Sequence, residues 1–576
     1  MKLLIILIAL NFNVAQCLQQ PNFITVFESS NGTQTATYQQ TITFYQKLAD
    51  IFPQISLQAI GKTDSGLPLH LVTLNADNIQ SFEQIRENKS ILLINNGIHP
   101  GESDGIDASM MLFRDIALGK LPMPKNTVIV TIPVYNIGGS LNRNSTTRTN
   151  QNGPLEYGFR GNARNYDLNR DFIKNDSHNA KTFAKIFHLI QPDVFIDNHV
   201  SNGADYQYTL THLFTQHNKL GGRLGDYLHT VLMPSLENKL KQKNWDITPY
   251  VNVFNQVPET GFSQFMDYGR YSTGYTSLFN VFGMMVETHM LKPYKQRVEG
   301  TYQLMQSMIE IVDENSDTIK KVRHDYYKNI YAQTKYALDW KIDEDKNSLL
   351  NFKGYRAQMI ASKVTHAQRL KYDRNSPFNQ QVKYHNYFKP SLEVTVAKAY
   401  IIPQAWHRVI ALLKLNDVQI NRLDEDKTIT VQSYKIAKYE TRKAPYEGHY
   451  LHFNTHVNTT TKKIAFRKGD YMIELNQAAI KYIIETLEPQ APDSFFNWNF
   501  FDTILQQKEH FSPYVFEDMA AELLKSNPQL HKEFKQKQLA DEEFSKSWYA
   551  QLDWLHKHSQ HYEKSHMQYP VYRVLK

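Results

Sequence analysis

The chain has 576 residues, of which 41% are hydrophobic and 21% are charged. These proportions are typical of globular proteins and exclude a disordered chain and a multi-span membrane protein, while the length predicts roughly two to four domains. The formal net charge of +7 is small for this length, so no nucleic-acid partner is expected.

The first 17 residues have the pattern of a secretory signal peptide. Lys2 supplies a positive charge, residues 3–10 are apolar, and residues 15–17 offer a small-x-small cleavage site that ends in Cys17, the only cysteine. The apolar run is far shorter than the roughly 20 residues that cross a bilayer. We therefore expect a signal peptide over 1–17, no transmembrane segment, and a secreted or periplasmic protein. A lipid anchor at Cys17 is the alternative.

Apolar β-rich runs alternate with amphipathic stretches in the first half of the chain. This pattern predicts an α/β domain over 21–330, with a mixed, mainly parallel sheet flanked by helices. The predicted strands and helices are, in chain order, a helix at 37–51, a strand at 70–74, a strand at 91–94, a helix at 105–117, strands at 128–134, a helix at 182–190, a strand at 194–197, a helix at 220–241 and a strand at 284–287.

The second half of the chain has a different pattern of apolar and polar residues. A long polar helix is expected around 302–340, and residues 391–402 and 427–439 alternate like strands. These patterns predict a smaller α+β accessory region over 331–486 and a helical C-terminal region over 487–576. Neither region contains a motif with a recognisable chemical role.

The first candidate functional motif is His99-Pro100-Gly101-Glu102, which follows the predicted strand 91–94. Ligands of open α/β sheets bind at the carboxyl ends of strands, and a His and a carboxylate three residues apart on a turn can reach one cation. The alternative is a solvated loop, with Glu102 stabilised at a helix N-terminus.

The second motif is Asp167-Leu168-Asn169-Arg170. An Asn amide beside a guanidinium offers several hydrogen-bond donors, and the planar guanidinium can donate two parallel hydrogen bonds to one carboxylate. The alternative is a helix-capping turn with Arg170 in a surface ion pair.

The third motif places His199 two residues beyond the predicted strand 194–197. With His99 and Glu102 it would complete three protein ligands and leave a fourth position for water, as in catalytic zinc sites. A buried structural histidine is the alternative.

The fourth motif is the apolar run 283–286, which ends in Glu287. Desolvation there would raise the pKa of the carboxyl group, which suits a general base near neutral pH. A capping or ion-paired Glu287 is the alternative. His289 is interpreted as a group outside the ligand set or on the surface.

These four motifs, in this order, resemble the zinc carboxypeptidases of the carboxypeptidase A type over about residues 30–310. The chain would be a bacterial-like, secreted member with a long C-terminal extension. The resemblance implies one Zn²⁺ per chain, held by His99, Glu102 and His199, with Glu287 as the general base.

The same resemblance implies roles for the second motif. Asn169 and Arg170 would bind the terminal carboxylate of the substrate, and Asp167 would orient His99. An Arg upstream would polarise the scissile carbonyl. We choose Arg160, ten residues before Arg170; the competitors are Arg143, Arg148 and Arg164.

A tyrosine is also expected to cover the substrate. Tyr271 and Tyr275 both precede Glu287, and Tyr275 is chosen. The segment before Glu287 departs from the digestive enzymes of the family, so their side-chain specificity does not transfer.

The expected function is therefore that of a zinc metallocarboxypeptidase acting on peptides or peptide-like substrates with a free C-terminal carboxylate. One alternative is a zinc-dependent amidase, deacylase or cell-wall peptide hydrolase on the same fold. Another is a binding protein that has lost catalysis. The oligomeric state is not defined by the sequence.

Overall fold

The computed structural model describes residues 23–575. The expected signal peptide, Cys17 and the first residues of the expected catalytic domain lie outside the described residues. Within the described range, no helix is both long and apolar enough to cross a membrane.

The first half of the chain forms an eight-stranded mixed sheet with the order β1-β2-β4-β3-β5-β9-β6-β7. Its central strands β4, β3, β5 and β9 are mutually parallel, and β1, β2 and β6 add antiparallel pairings. The expected fold class is thereby confirmed. The strands, with the separate β8, are β1 Ile55–Lys62, β2 Pro68–Leu74, β3 Ser90–Asn95, β4 Thr127–Ile132, β5 Val194–Val200, β6 Leu210–Phe214, β7 Ile247–Pro249, β8 Phe262–Ser263 and β9 Phe282–Thr288.

Helices cover this sheet, and their buried faces follow the apolar periodicity of the sequence. Helix α2 begins with a capping box between Thr37 and Gln40. The helices are α1 Val26–Ser29, α2 Tyr38–Ile51, α3 Phe82–Asn88, α4 Asp104–Ala117, α5 Ile137–Leu141, α6 His178–Ile190, α7 His217–Leu220, α8 Gly222–Tyr227, α9 Met233–Gln242, α10 Ser272–Ser277, α11 Tyr294–Glu314 and α12 Ser316–Ile330.

The single helix expected at 220–241 is instead divided. Between α8 and α9 lies a π-helical segment, Leu228–Leu232. The buried leucines recur every fourth residue, and that spacing drifts by about 40° per step around a helix of 3.6 residues per turn. The wider π turn offsets this drift, so the leucines from α8 to the end of α9 stay buried: Leu224, Leu228, Leu232, Leu236 and Leu240. Leu220 is buried as well, but it ends α7, before Gly221 interrupts the helix.

The long helix expected around 302–340 is also corrected. It consists of α11 and α12, which meet at Asn315, and a strand begins at Lys335 where the alternating run 335–342 takes over.

The second half carries three further sheets, with the orders β10-β13, β11-β12-β8 and β15-β18-β14-β19-β16-β17. The strands are β10 Lys335–Ile342, β11 Ser348–Ala361, β12 Gln368–His385, β13 Phe388–Thr395, β14 Ala399–Ile402, β15 Asn421–Arg422, β16 Lys427–Thr441, β17 His452–Phe466, β18 Tyr471–Glu474 and β19 Tyr572–Val574. The expected strand 391–402 is thus two strands in different sheets, because β13 pairs with β10 and β14 pairs with β18 and β19.

The C-terminal region is not purely helical. The helices of the accessory region are α13 His407–Leu415 and α14 Ile480–Leu487. Those of the C-terminal region are α15 Pro513–Ser526, α16 Pro528–Ala540, α17 Glu542–Lys546 and α18 Trp548–Lys557. After them, β19 returns to the six-stranded sheet. Helices α15, α16, α17 and α18 pack around a small cluster of their own, whereas the main core draws residues from both halves of the chain, from Phe23 to Val571. Residue 330 therefore marks a change of topology within one continuous core.

The sheet brings the polar motifs together. Strands β3, β5 and β9 are parallel neighbours, so their carboxyl ends lie side by side. The register pairs Asn95 with Asp197 and His199 with Glu287. The turn that carries His99 and Glu102 and the strand end that carries Glu287 thus lie on either side of His199, where the carboxyl ends of the strands meet.

Candidate active site

Three buried side chains meet at the carboxyl ends of β3 and β5. His99, Glu102 and His199 each offer one ligand atom, and these atoms lie within 4.8 Å of one another. The Glu102 carboxylate stands between the imidazoles, with Oε1 3.2 Å from His99 Nδ1 and Oε2 3.1 Å from His199 Nδ1. The structure therefore brings all three expected metal ligands into one cluster.

Each imidazole is held from its other nitrogen by a further carboxylate. His99 Nε2 lies 2.9 Å from Asp167 Oδ1, and His199 Nε2 lies 2.8 Å from Asp197 Oδ2. Such outer carboxylates fix the ring orientation of histidine ligands. Asp167 thus lies where it was expected. Asp197 was missed by the sequence reasoning, although residues two apart on a strand share a face, which was the available signal.

The donor set fits a zinc ion. Two imidazole nitrogens and a carboxylate are common zinc ligands, and three protein ligands are typical of a catalytic site. His99 Nδ1 is buried and makes no hydrogen bond within the described part of the chain. Because a buried polar atom without a partner is costly, a bound cation offers the missing interaction.

The electrostatics keep the cluster carboxylate ionised. Burial alone would raise the pKa of Glu102, but His99 and Arg148 hold it well below its usual range. Arg148 Nη1 lies 2.6 Å from Glu102 Oε1. Another nitrogen of this guanidinium, Nη2, is buried without a hydrogen-bond partner among the described residues.

Arg160 also lies beside the cluster. Its Nη2 is 2.8 Å from Asp167 Oδ2, and its Nη1 is 3.7 Å from Glu102 Oε1. Burial opposes ionisation of Asp167, but His99 and Arg160 lower the pKa of this carboxyl far below its ordinary value. Arg160 lines the same cavity as the three candidate ligands, whereas Arg148 lines a neighbouring one.

Glu287 ends strand β9 and lines this cavity beside the cluster. Burial raises the pKa of Glu287 to about 8, and the negative charge of Glu102 adds to the effect, while His199 opposes it. These surroundings agree with the expectation that the carboxyl group of Glu287 is desolvated.

The cavity has a volume of about 240 Å³ and extends from the cluster to the second motif. Asn169 and Arg170 lie in a 3₁₀ turn that is capped by Asp167, whose side chain accepts a hydrogen bond from Asn169 N. Asn169 Oδ1 accepts a hydrogen bond of 3.1 Å from Ser272 N, which leaves its amide NH₂ group to donate to a ligand. The Arg170 guanidinium stacks on the Tyr271 ring, 4.6 Å from its centroid.

Tyr275 does not reach the cavity, and its expected role is corrected. It lies inside α10, all of whose residues are buried, and its hydroxyl donates to Asn416 Oδ1 at 2.6 Å. Tyr271 precedes that helix and lines the cavity instead. Both tyrosines precede Glu287, so only the position of the helix start distinguishes them.

His289 is fully buried rather than on the surface. It lies 3.1 Å from Asp205 Oδ1, and its ring packs against Tyr206 at a centroid distance of 4.2 Å. It is not one of the three clustered ligands, in agreement with its expected place outside the ligand set.

A scan against protein-family models and a search of curated proteins gave no match. Among solved structures, the chain is similar to a metallo-carboxypeptidase from Burkholderia cenocepacia, with 17% identity and a TM-score of 0.38, covering 49% of this chain and 70% of that one. It is also similar to carboxypeptidase A from Helicoverpa armigera, with 13% identity, a TM-score of 0.38, and coverage of 49% and 74%. These neighbours are of the kind that the sequence motifs resemble, over about half of the chain.

The pairing of His199 with Asp197 leads to a testable expectation. Asp197→Asn removes the charge that orients the imidazole, and the loss of such an outer partner typically weakens metal affinity about 10- to 100-fold. Zinc affinity of the purified protein, measured by competition with a chromogenic chelator, should fall by about that factor.

Asp205→Asn is the matched control, because it alters a second buried Asp–His pair, with His289, outside the ligand cluster. Its zinc affinity should equal that of the unaltered protein. Equal affinities for all three proteins would contradict the role given to Asp197.

Proposed function

We propose that the chain is a zinc-dependent metallocarboxypeptidase that removes the C-terminal residue of a peptide. The observation that carries this proposal is that a single cavity joins three clustered ligands, a strand-end carboxyl group and an Asn-Arg pair. Each of these groups has a separate part in peptide hydrolysis, and one substrate can contact all of them because they line the same cavity.

His99, Glu102 and His199 would hold one zinc ion per chain. When bound, zinc supplies a Lewis acid that polarises a carbonyl and lowers the pKa of a coordinated water molecule. Asp167 and Asp197 keep the two imidazoles turned toward the cluster through their Nε2 atoms.

Glu287 is the proposed general base. It shares the cavity with the cluster, and the sheet register sets it next to His199. From this place its carboxylate would take a proton from water and later pass it to the nitrogen of the leaving amine.

Arg160 is the proposed donor to the oxyanion that forms during the reaction. Its guanidinium is fixed by Asp167 and faces the same cavity. A preorganised donor of this kind is typically worth about 3 to 4 kcal/mol in the transition state. Arg148 is bonded to Glu102 and remains the nearest competitor.

Asn169 and Arg170 would bind the terminal carboxylate, which makes the enzyme an exopeptidase. The Asn169 NH₂ group and the Arg170 fork are donors with no acceptor character, and both line the cavity. Tyr271, stacked on Arg170, takes the place that was expected for Tyr275. Holding the terminal carboxylate there sets the adjacent peptide bond over the cluster.

The substrate is accordingly a peptide or peptide-like molecule with a free C-terminal carboxylate. The rest of the cavity lining is mixed: it consists of the apolar Val200, Leu213, Phe254, Phe265 and Met285 and of Asn202, Tyr250 and Asn252. We further propose that the protein is exported, on the basis of the signal-like pattern of residues 1–17.

Glu287→Gln should abolish peptide hydrolysis while bound zinc stays near one ion per chain, because the substitution removes the base but none of the three ligands. Mass spectrometry of peptide digests and metal analysis of the same preparation provide the two readouts. Glu299→Gln, an exposed change on α11, serves as the control and should keep full activity. Activity retained by Glu287→Gln would remove this residue from the base role.

Arg170→Ala should raise the KM for peptides with a free C-terminal carboxylate by about 10- to 150-fold, since a charge-assisted pair contributes about 1.5 to 3 kcal/mol. Kinetics on matched free-acid and C-terminally amidated peptides test this. The amidated series should change little.

The control is Arg164→Ala, which removes an exposed guanidinium from the same segment and should leave both series unchanged. Equal losses on free-acid and amidated peptides in Arg170→Ala would argue against recognition of the terminal carboxylate. Preference for N-acyl amino acids or muropeptides over peptides would instead favour an amidase or a cell-wall hydrolase.

A further inference from the structure

The tip of the β16–β17 hairpin packs against the segment that carries Asp167, Asn169 and Arg170. Residues 446–449 form a two-residue turn that is closed by hydrogen bonds of 2.7 Å from Tyr446 N to His449 O and 3.1 Å in the opposite sense. Glu447 and Gly448 both have positive φ angles, of 49° and 79°. This is the geometry of a type I′ turn, the common connection of tight hairpins.

A glutamate is an unusual residue at the first left-handed position of such a turn. Asn, Asp and Gly are preferred there, because other side chains are strained at positive φ. The observed contact accounts for the choice. Glu447 Oε2 accepts a hydrogen bond of 2.8 Å from the backbone N–H of Asp167, which is 280 residues away in the chain.

The hairpin does not need Glu447 in order to dock. His449 Nε2 lies 2.5 Å from Asp176 Oδ2, and Tyr446 stacks on Trp498 with centroids 6.1 Å apart. The Glu447 bond is therefore an addition to an attachment that other residues already make. Its specific effect is on the backbone of Asp167.

Asp167 connects several parts of the candidate site through hydrogen bonds. Its carboxylate bonds His99 Nε2 at 2.9 Å and Arg160 Nε at 3.0 Å, and it accepts from Asn169 N at 3.0 Å. A fixed backbone at Asp167 therefore holds a candidate metal ligand, the oxyanion donor and the substrate-binding turn together.

A second contact from the C-terminal half acts on the segment that packs against Asn169 and Arg170. Asp493 binds the Arg270 backbone N–H and its Nε, each at 2.8 Å. The next residue, Tyr271, stacks on Arg170, and Ser272 N donates to Asn169 Oδ1. Asp493 thus secures the segment that orients both substrate-binding side chains.

We propose that the C-terminal half of the chain shapes the pocket for the substrate terminus through two carboxylates, Glu447 beside Asp167 and Asp493 beside Arg270. Both are positioning residues, since they act through Asp167 and Arg270 and do not line the cavity. The consequence for substrate binding rests on the proposed function, whereas the consequence for zinc affinity does not.

Glu447→Asn is the decisive variant. Asn-Gly is a preferred pair for a type I′ turn, so the turn is kept, but the side chain is one methylene too short to reach the Asp167 N–H. Zinc affinity, measured by chelator competition, should fall by about 3- to 10-fold. KM for a free-acid peptide should rise by about tenfold, with kcat changed less than about threefold.

Three further variants complete the experiment. Glu447→Gln keeps an acceptor oxygen of the same reach and should restore zinc affinity and KM to within about twofold of the unaltered protein. Glu440→Gln, an exposed change on β16 of the same hairpin, should have no effect. Asp493→Asn should raise KM for the free-acid peptide; the Glu447 pair decides the proposal if this buried variant does not fold.

The outcomes separate the two proposals. If Glu447→Asn shows unchanged zinc affinity and unchanged KM, with or without a lower melting temperature, Glu447 only helps the hairpin to dock and the inference is overturned. If the unaltered protein binds zinc but cleaves no peptide, the proposed function fails, and the zinc affinities of the Glu447 variants still decide the positioning role.

Discussion

The bonds from Asp167 and Asp197 to the two histidines are the interactions on which the site depends. Imidazoles and carboxylates buried at one sheet edge are costly unless every polar atom has a partner. Here the outer carboxylates satisfy the Nε2 atoms and leave both Nδ1 atoms facing Glu102. That arrangement concentrates negative charge around a small volume, which a divalent cation would stabilise.

The central sheet of the first half of the chain places these groups close together. The parallel strands β3, β5 and β9 end side by side, so turns from distant parts of the sequence converge on one cavity. The segment 270–272 then joins the two ends of the cavity. Ser272 Oγ donates to Asp197 Oδ2 at 2.5 Å while Ser272 N donates to Asn169 Oδ1, so one residue links the candidate metal cluster with the turn that carries Asn169 and Arg170.

Much of this arrangement could be predicted from the sequence because its determinants are local. Apolar runs located the central strands, and polar motifs at the strand ends located His99, Glu102, His199 and Glu287. Local patterns could not distinguish Tyr271 from Tyr275, since the difference depends on where α10 packs. Nor could they reveal Glu447 and Asp493, whose partners lie 280 and 223 residues away. The divided helix around Leu228–Leu232 was missed because a leucine at every fourth residue was interpreted as an ordinary helical face.

The central claim is that His99, Glu102 and His199 form a zinc site. Crystals of the purified protein, measured on both sides of the zinc absorption edge, test it most directly. We predict one anomalous peak per chain, about 2.0 to 2.2 Å from the Nδ1 atoms of both histidines and from a Glu102 oxygen. A peak elsewhere, or no peak in zinc-supplemented crystals with these side chains ordered, would contradict it.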